Sequence, residues 1–206
     1  MTSAVDIANT ALSHVGDAAQ VESLDLPHQT VQAQHCARFY PIARDALLEW
    51  HDWGFATRRV LGSSVTLATV DSNIWTYGYA WPNQALKIQR VLNPSNANPV
   101  DTDAPPWELG TAADGSRVVF TDQAEAVLQY TVQVTDPRKF SPLFVTALGL
   151  YLGAMLAGPI IKGKAGEATA TRLQRAALAH LPAATTADAN QQHKPVTPAV
   201  GWITNR

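Results

Sequence analysis

Residues Cys36–Arg59, CARFYPIARDALLEWHDWGFATRR, decide how the chain is read. Phe39, Ile42, Ala43, Ala46, Leu47, Trp50 and Trp53 stand at offsets 0, 3, 4, 7, 8, 11 and 14, one continuous stripe on a helix of period 3.6. Arg38, Arg44, Asp45, Glu49 and Asp52 fall largely off it. The spacing predicts a helix from about Gln29 to Trp53, ended by Gly54. Its wide aromatic face, with Trp50 and Trp53, is expected in the core, and its charged face is left to water or a partner. Pro41 removes a backbone hydrogen bond, which in a helix interior costs about 3 kcal/mol. A kink or restart near Tyr40 is therefore expected, offset by core burial of about 1.5–3 kcal/mol per large apolar side chain.

Upstream, Ser3 with Asp6 makes a capping-box-like start, and Val5, Ala8, Leu12 and Val15 give a helical stripe ending at Gly16. The loop over 17–28 returns the chain, so two antiparallel helices are expected. Downstream of Arg59 the period changes. Val65, Leu67 and Leu86–Leu92 read as strands, with Trp75, Tyr77, Tyr79 and Trp81 alternating between them. Residues 93–106, NPSNANPVDTDAPP, are turn formers and predict a long exposed loop. Trp107–Ala113 and Arg117–Thr121 flank Asp114-Gly115, a pair suited to a type I′ hairpin turn. Leu128, Tyr130, Val132 and Val134 alternate with polar residues as a half-buried strand does.

Ser141–Ile161 carries no charge, and 164–181 reads as an amphipathic helix with Leu173, Ala177 and Leu181 on one side and Arg172 and Arg175 on another. From Pro182 the composition turns to Ala, Thr, Pro, Asn and Gln, an extended tail with no core of its own. The fold class is α+β. Helices from 1–59 and 136–181 form one bundle, an antiparallel β-unit at 60–135 is inserted between them, and the tail occupies 182–206.

Composition bounds the function. The 206 residues are 46% hydrophobic and 16% charged, with a formal net charge of -2 and no Lys/Arg run. Stable phosphate gripping is disfavoured, whereas a channel through which DNA slides is compatible. Cys36 is the sole cysteine, which excludes an intrachain disulfide and suits a reducing cytoplasm. The start MTSAVDIANT lacks the basic and apolar regions of a signal peptide.

Each motif that hints at chemistry has a plainer explanation. Ser141–Ile161 nearly has the length of a membrane span and holds Gly149-x-x-x-Gly153, yet Pro159 interrupts its end and no aromatic belt or charge asymmetry flanks it. A central bundle helix, with glycines permitting close approach, is the preferred reading. Gly158–Ala165 resembles a phosphate loop but has Ala165 where a hydroxyl must meet Mg²⁺, so a helix-to-helix turn is expected. His35 and Cys36 are adjacent on a helix and point about 100° apart, too far for a nucleophile and its base. The six histidines show no metal-ligand spacing, and no cofactor is expected. Asp45 and Glu49, at i and i+4, repel unless Arg44, Arg59 or a partner surface compensates. If the chain forms a ring, that face is an inter-subunit candidate. Trp107 and Trp202 stand beside loop or tail sequence, where aromatic anchors of interfaces occur, and the tail ends at Arg206.

With ALSHVGD (Ala11–Asp17), VESLD (Val21–Asp25) and FATRR (Phe55–Arg59), the opening stretch resembles the tail tubular protein A type of head-to-tail adaptor of short-tailed bacteriophages. In that family a first helix ends in a Val-Gly or Ile-Gly pair, and a second closes on Trp-x-Phe before a β-domain. Gly16, Trp53 and Phe55 match. The likeness covers most of the chain as an order of elements and is dense in residues from Ala11 to Arg59.

The resemblance implies a virion structural protein at the head–tail junction, made in the host cytoplasm. Twelve copies would form a ring under the portal protein and continue the DNA channel without binding DNA specifically. The bundle would make the ring contacts, loop 93–106 would face the tail tube or nozzle protein, and the tail would reach the portal or a neighbouring subunit. The competing classes are a small-ligand-binding or enzymatic helical protein, which needs convergent polar groups in an apolar pocket, and a membrane-associated protein resting on 141–161.

Overall fold

The computed structural model describes residues 2–25, 27, 30–95 and 104–191. Four helices flank seven strands: α1 (Ala4–Val15), α2 (Val31–Trp50), β1 (Thr57–Leu61), β2 (Ser64–Val65), β3 (Tyr77–Ala80), β4 (Ala85–Leu92), β5 (Trp107–Thr111), β6 (Arg117–Thr121), β7 (Val127–Val132), α3 (Pro142–Ile161) and α4 (Gly163–Ala189). The strands form two antiparallel sheets, in the orders β1-β7-β4 and β2-β3-β6-β5. The fold is α+β, with the strand block between helices.

The cap of α1 forms as its sequence suggests. Ser3 Oγ accepts the Asp6 N–H, and an Asp6 carboxylate oxygen accepts the Ser3 N–H. Gly16, at φ +86°, closes the helix in the left-handed conformation, and the Asp17 N–H donates to the Leu12 carbonyl. Ile7, Ala8, Ala11 and Leu12 are buried.

In α2 the phase differs from the expected stripe. The buried residues are Ala33, Cys36, Tyr40, Ala43, Arg44, Leu47 and Leu48, whereas Ile42 and Trp50 are 52% and 60% exposed. The buried face shares Ala43 and Leu47 with the expected stripe but is turned roughly 100° from its centre. Ala33, Cys36 and Ala43 on the buried face let the helix approach its neighbours closely. The helix runs through Pro41 without a restart and stops at Trp50, because His51 turns extended. Trp53 is therefore in the following loop, fully buried, and its indole N–H donates to the Leu47 carbonyl at 2.8 Å. That bond satisfies one of the carbonyls a helix end leaves open.

Trp53 anchors an aromatic cluster. Its ring meets Phe144 edge-on at 5.1 Å and Phe55 at 5.8 Å, and Phe140 lies 4.9 Å from Phe144. Edge-to-face and tilted pairs of this kind contribute about 0.5–1.5 kcal/mol beyond area burial. The cluster joins the end of α2, the start of β1 and the start of α3.

Helix α3 is the centre of the bundle, packed against α1, α2 and α4. It is long and apolar enough to cross a membrane by length and composition, and half of that span is buried against the rest of the chain. Gly153 admits both the Ala11 carbonyl and the Leu173 side chain. Gly149 faces Thr10 at ordinary contact distance, whereas Gly158 faces open space, so only part of the expected glycine packing is realised. Among the described helical glycines the tightest approach falls at Gly166 of α4, where an added Cβ would sit 2.9 Å from the Ala157 carbonyl oxygen. Lys162, at φ +61° and ψ 165°, makes the turn between the two helices.

Helix α4 does not stop at Leu181. It continues through Pro182 to Ala189, so the region expected to be extended tail begins as helix. Burial of Ala184 and Asp188 holds this continuation, and the Asp188 carboxylate accepts the Gly54 N–H at 2.9 Å. The first strand also opens earlier than expected, at Thr57, ahead of the boundary at residue 60.

Within the β-unit, the hairpin joining β5 and β6 turns on Asp114-Gly115 but not as type I′, which needs positive φ at both central residues. Gly115 has φ +84° while Asp114 does not. The Gly115 N–H donates to the Ala112 carbonyl and the Ala112 N–H to Ser116, a three-residue loop closed by a glycine bulge. Leu67 falls outside β2 and packs over Gly78 instead. Of the aromatic alternation, Tyr79 is buried and Tyr77 is exposed. The expected strand at Leu128–Val134 is β7, the middle of the three-stranded sheet. Of loop 93–106, residues 96–103 lie outside the described residues. One continuous core includes Leu12, Leu47, Trp53, Leu148 and Leu173 of the helical part together with Tyr79, Ile88, Val91, Leu128 and Tyr130 of the sheets.

Candidate assembly interface

The outer side of α2 is the most exposed apolar helix surface among the described residues. Ile42 and Trp50 lie on it with Glu49, and Val31, 65% exposed, stands at its start. Asp45 and Glu49, paired in the sequence by their spacing, are separated in role. Asp45 accepts from Arg44 Nε at 2.7 Å and from Gln133 Nε2 at 2.7 Å, a bridge from α2 to the segment after β7. Arg44, expected on the charged face, is itself buried and takes Asp45 as its counter-ion. The anticipated repulsion is thereby relieved from the Asp45 side. Glu49 is exposed and makes no ion pair among the described residues.

Trp107 opens β5, at the edge of the four-stranded sheet, and is partly buried against the core. Its β5 neighbour Leu109 is 50% exposed. Trp202 and Arg206 lie outside the described residues. Asp45 and Glu49 thus stand one turn apart on α2, whereas Trp107 belongs to β5.

Two arrangements escaped the sequence. The first is the corner where α4 ends: Asp188 holds the Gly54 N–H, and His51 Nε2 is 3.8 Å from its carboxylate. An Asp in an Ala/Thr-rich segment gave no cue, because its partner is distant in sequence. The second lies on one face of the three-stranded sheet. Gln89 Nε2 donates to Thr57 Oγ1 and Thr131 Oγ1, Gln129 Nε2 donates to Gln89 Oε1, and Arg59 Nε donates to Gln129 Oε1. The β4 register shifts between Ile88 and Arg90, which re-aims Gln89 into this ladder.

The groups weighed for chemistry are placed apart. Burial pushes the Cys36 thiol up to about 11, with Asp17 adding to the shift, so the thiolate a nucleophile needs is disfavoured. Burial likewise pushes Tyr40 up to about 12. His14 is lowered by burial and by the Arg172 charge. Among the described residues no three His, Cys, Asp or Glu side chains stand together as metal ligands. A depression of about 130 Å³ beside the start of α2 is lined by Gln20, Glu22, Ser23, Pro27, Thr30 and Ala33. Gly158–Ala165 forms the end of α3, the turn and the start of α4, where the phosphate-loop motif requires a strand.

Neither a scan against protein-family models nor a comparison with curated proteins gives a match.

Proposed function

We propose that the chain is a virion structural protein, a head-to-tail adaptor whose copies form a ring between the portal protein and the tail tube or nozzle. The observation that carries this reading is the outer face of α2, where Ile42 and Trp50 stand in water beside Glu49, which makes no ion pair among the described residues. A large aromatic at this exposure, on a helix already packed on its other side, is characteristic of an anchor awaiting a partner. The order of elements adds support, since helices from both ends of the chain share a core around a strand block, as the resemblance implies.

In this role the chain works by position. The ring continues the DNA channel, and a surface of net charge -2 lets DNA pass without gripping it. The β-unit and loop 93–106 face the next tail component, and the segment beyond α4 reaches the portal or a neighbouring subunit. The partners are further copies of the chain, the portal and a tail protein, at the head–tail junction of a virion assembled in the host cytoplasm.

Co-sedimentation of the purified chain with and without the portal ring encoded with it, followed by electron microscopy of the heavy fraction, tests the proposal. A second ring stacked on the portal is the expected result. A chain that stays light while the portal sediments alone would overturn it.

A further inference from the structure

Resting on the ring reading, we infer that neighbouring copies meet through the outer face of α2 on one and the outer face of α4 on the next. Helix α4 buries Leu173, Ala177 and Leu181 on one side. Its opposite side exposes Thr171, Arg175 and Leu178, the last 39% exposed. Arg175 makes no ion pair among the described residues, as Glu49 makes none on α2. Each face carries exposed apolar groups and a pair of opposite charges, Arg38 and Glu49 on α2 and Glu167 and Arg175 on α4, so each can supply the counter-charges of the other.

The two faces are separate parts of one subunit. Both helices pack on α3, and they converge where Asp188 meets His51 and Gly54. A contact between two different surfaces is heterologous, and its repetition builds a ring where the rotation closes, instead of a two-fold dimer. Both helices also end near the start of α3, where Trp53 meets Phe144, so they run the same way along the bundle. Neighbouring copies therefore present α2 and α4 in parallel. In the register that sets Ile42 opposite Thr171, Glu49 lies within a turn of Arg175, Trp50 reaches Leu178, and Arg38 falls opposite Glu167. One alignment satisfies both charge pairs and covers Ile42 and Trp50, two of the three exposed apolar residues of α2.

The test uses the full chain with the portal ring, read by sedimentation velocity and electron microscopy. Glu49→Arg and Arg175→Glu are each expected to cut the ring-sized fraction by about tenfold or more, because like charges across an interface are strongly disfavoured. The double variant restores it. Both residues are exposed, so thermal melts of the single variants should match the parent, and Trp50→Ala should weaken the ring with the melt equally unchanged. Rings that form normally with either single reversal, or a double variant that fails to recover, overturn the α2–α4 contact while the ring reading stands. If the parent chain forms no ring at all, both fall together.

Discussion

Trp50 and Trp53 stand one helical turn apart in sequence and occupy opposite environments. Trp50 is 60% exposed, whereas Trp53 is sealed between the end of α2 and Phe144 with its indole N–H on the Leu47 carbonyl. Trp53→Ala is expected to cost about 3–5 kcal/mol, as truncation of a buried large aromatic does. Trp50→Ala should stay within about 0.5 kcal/mol, since it touches no core feature. Urea titration of the two variants distinguishes them, and equal losses would refute the assignment.

The buried thiol and phenol of α2 make a second residue-level prediction. Both ionise at higher pH in the folded chain than in the unfolded one, so unfolding releases protons in alkali. Stability is fully present below about pH 9, is lost as the pH rises through about 11 for Cys36, and continues to fall toward about 12 for Tyr40. Cys36→Ala should remove the earlier part of this loss and Tyr40→Phe the later. A parent melting temperature flat from pH 8 to about 11 would contradict it.

Among the elements, the α3–α4 pair is where close approach decides stability. Gly166→Ala drives a Cβ toward the Ala157 carbonyl oxygen and should cost about 1–3 kcal/mol, as overpacking against backbone does. Gly158→Ala meets open space inside a helix and should stabilise by about 0.5–1 kcal/mol. Chemical denaturation of both variants checks the signs, and a stabilising Gly166→Ala would show that the helices can part cheaply.

The same scale explains what was legible in the sequence. Periodicity marked α1, α2, most of α4 and the central strand β7, because those elements bury one face, whereas α3 was legible from its uncharged, apolar run. Periodicity placed Ala43, Leu47 and Trp53 inside correctly but misjudged the phase of α2 at Ile42 and Trp50. These continue a stripe through Ala43 and Leu47 as readily as Cys36 and Tyr40 do, and spacing alone cannot choose between them. The proline at 182 reads locally as a stop, and burial of Ala184 and Asp188, with Asp188's hold on Gly54 across the fold, carries the helix past it. Edge strand β1, TRRVL, is mostly exposed and so leaves no alternation to read. For the candidate interface, the spacing of Asp45 and Glu49 drew attention to α2, whose outer face is exposed. It did not reveal Gln133, whose partnership with Asp45 is set by the return of the chain after β7.

For the whole molecule, a core shared by helices and sheets predicts one cooperative transition. Far-ultraviolet circular dichroism, which follows the helices, and tryptophan fluorescence, which includes Trp53 at the junction, should trace the same denaturation curve. Separated midpoints would mean that the β-unit stands on its own.

The centrality of α3 also imposes an order in time. Helix α1 leaves the ribosome early, but the helix that covers its buried stripe follows roughly 125 residues later, an interval on the order of ten seconds at ordinary rates of synthesis. Until then Ile7, Ala11 and Leu12 have no lasting cover, and the apolar side of α1 stays open to water or to other chains. Synthesis of α3 is the event that closes it, so the earliest helix of this sequence reaches its final environment long after it is made.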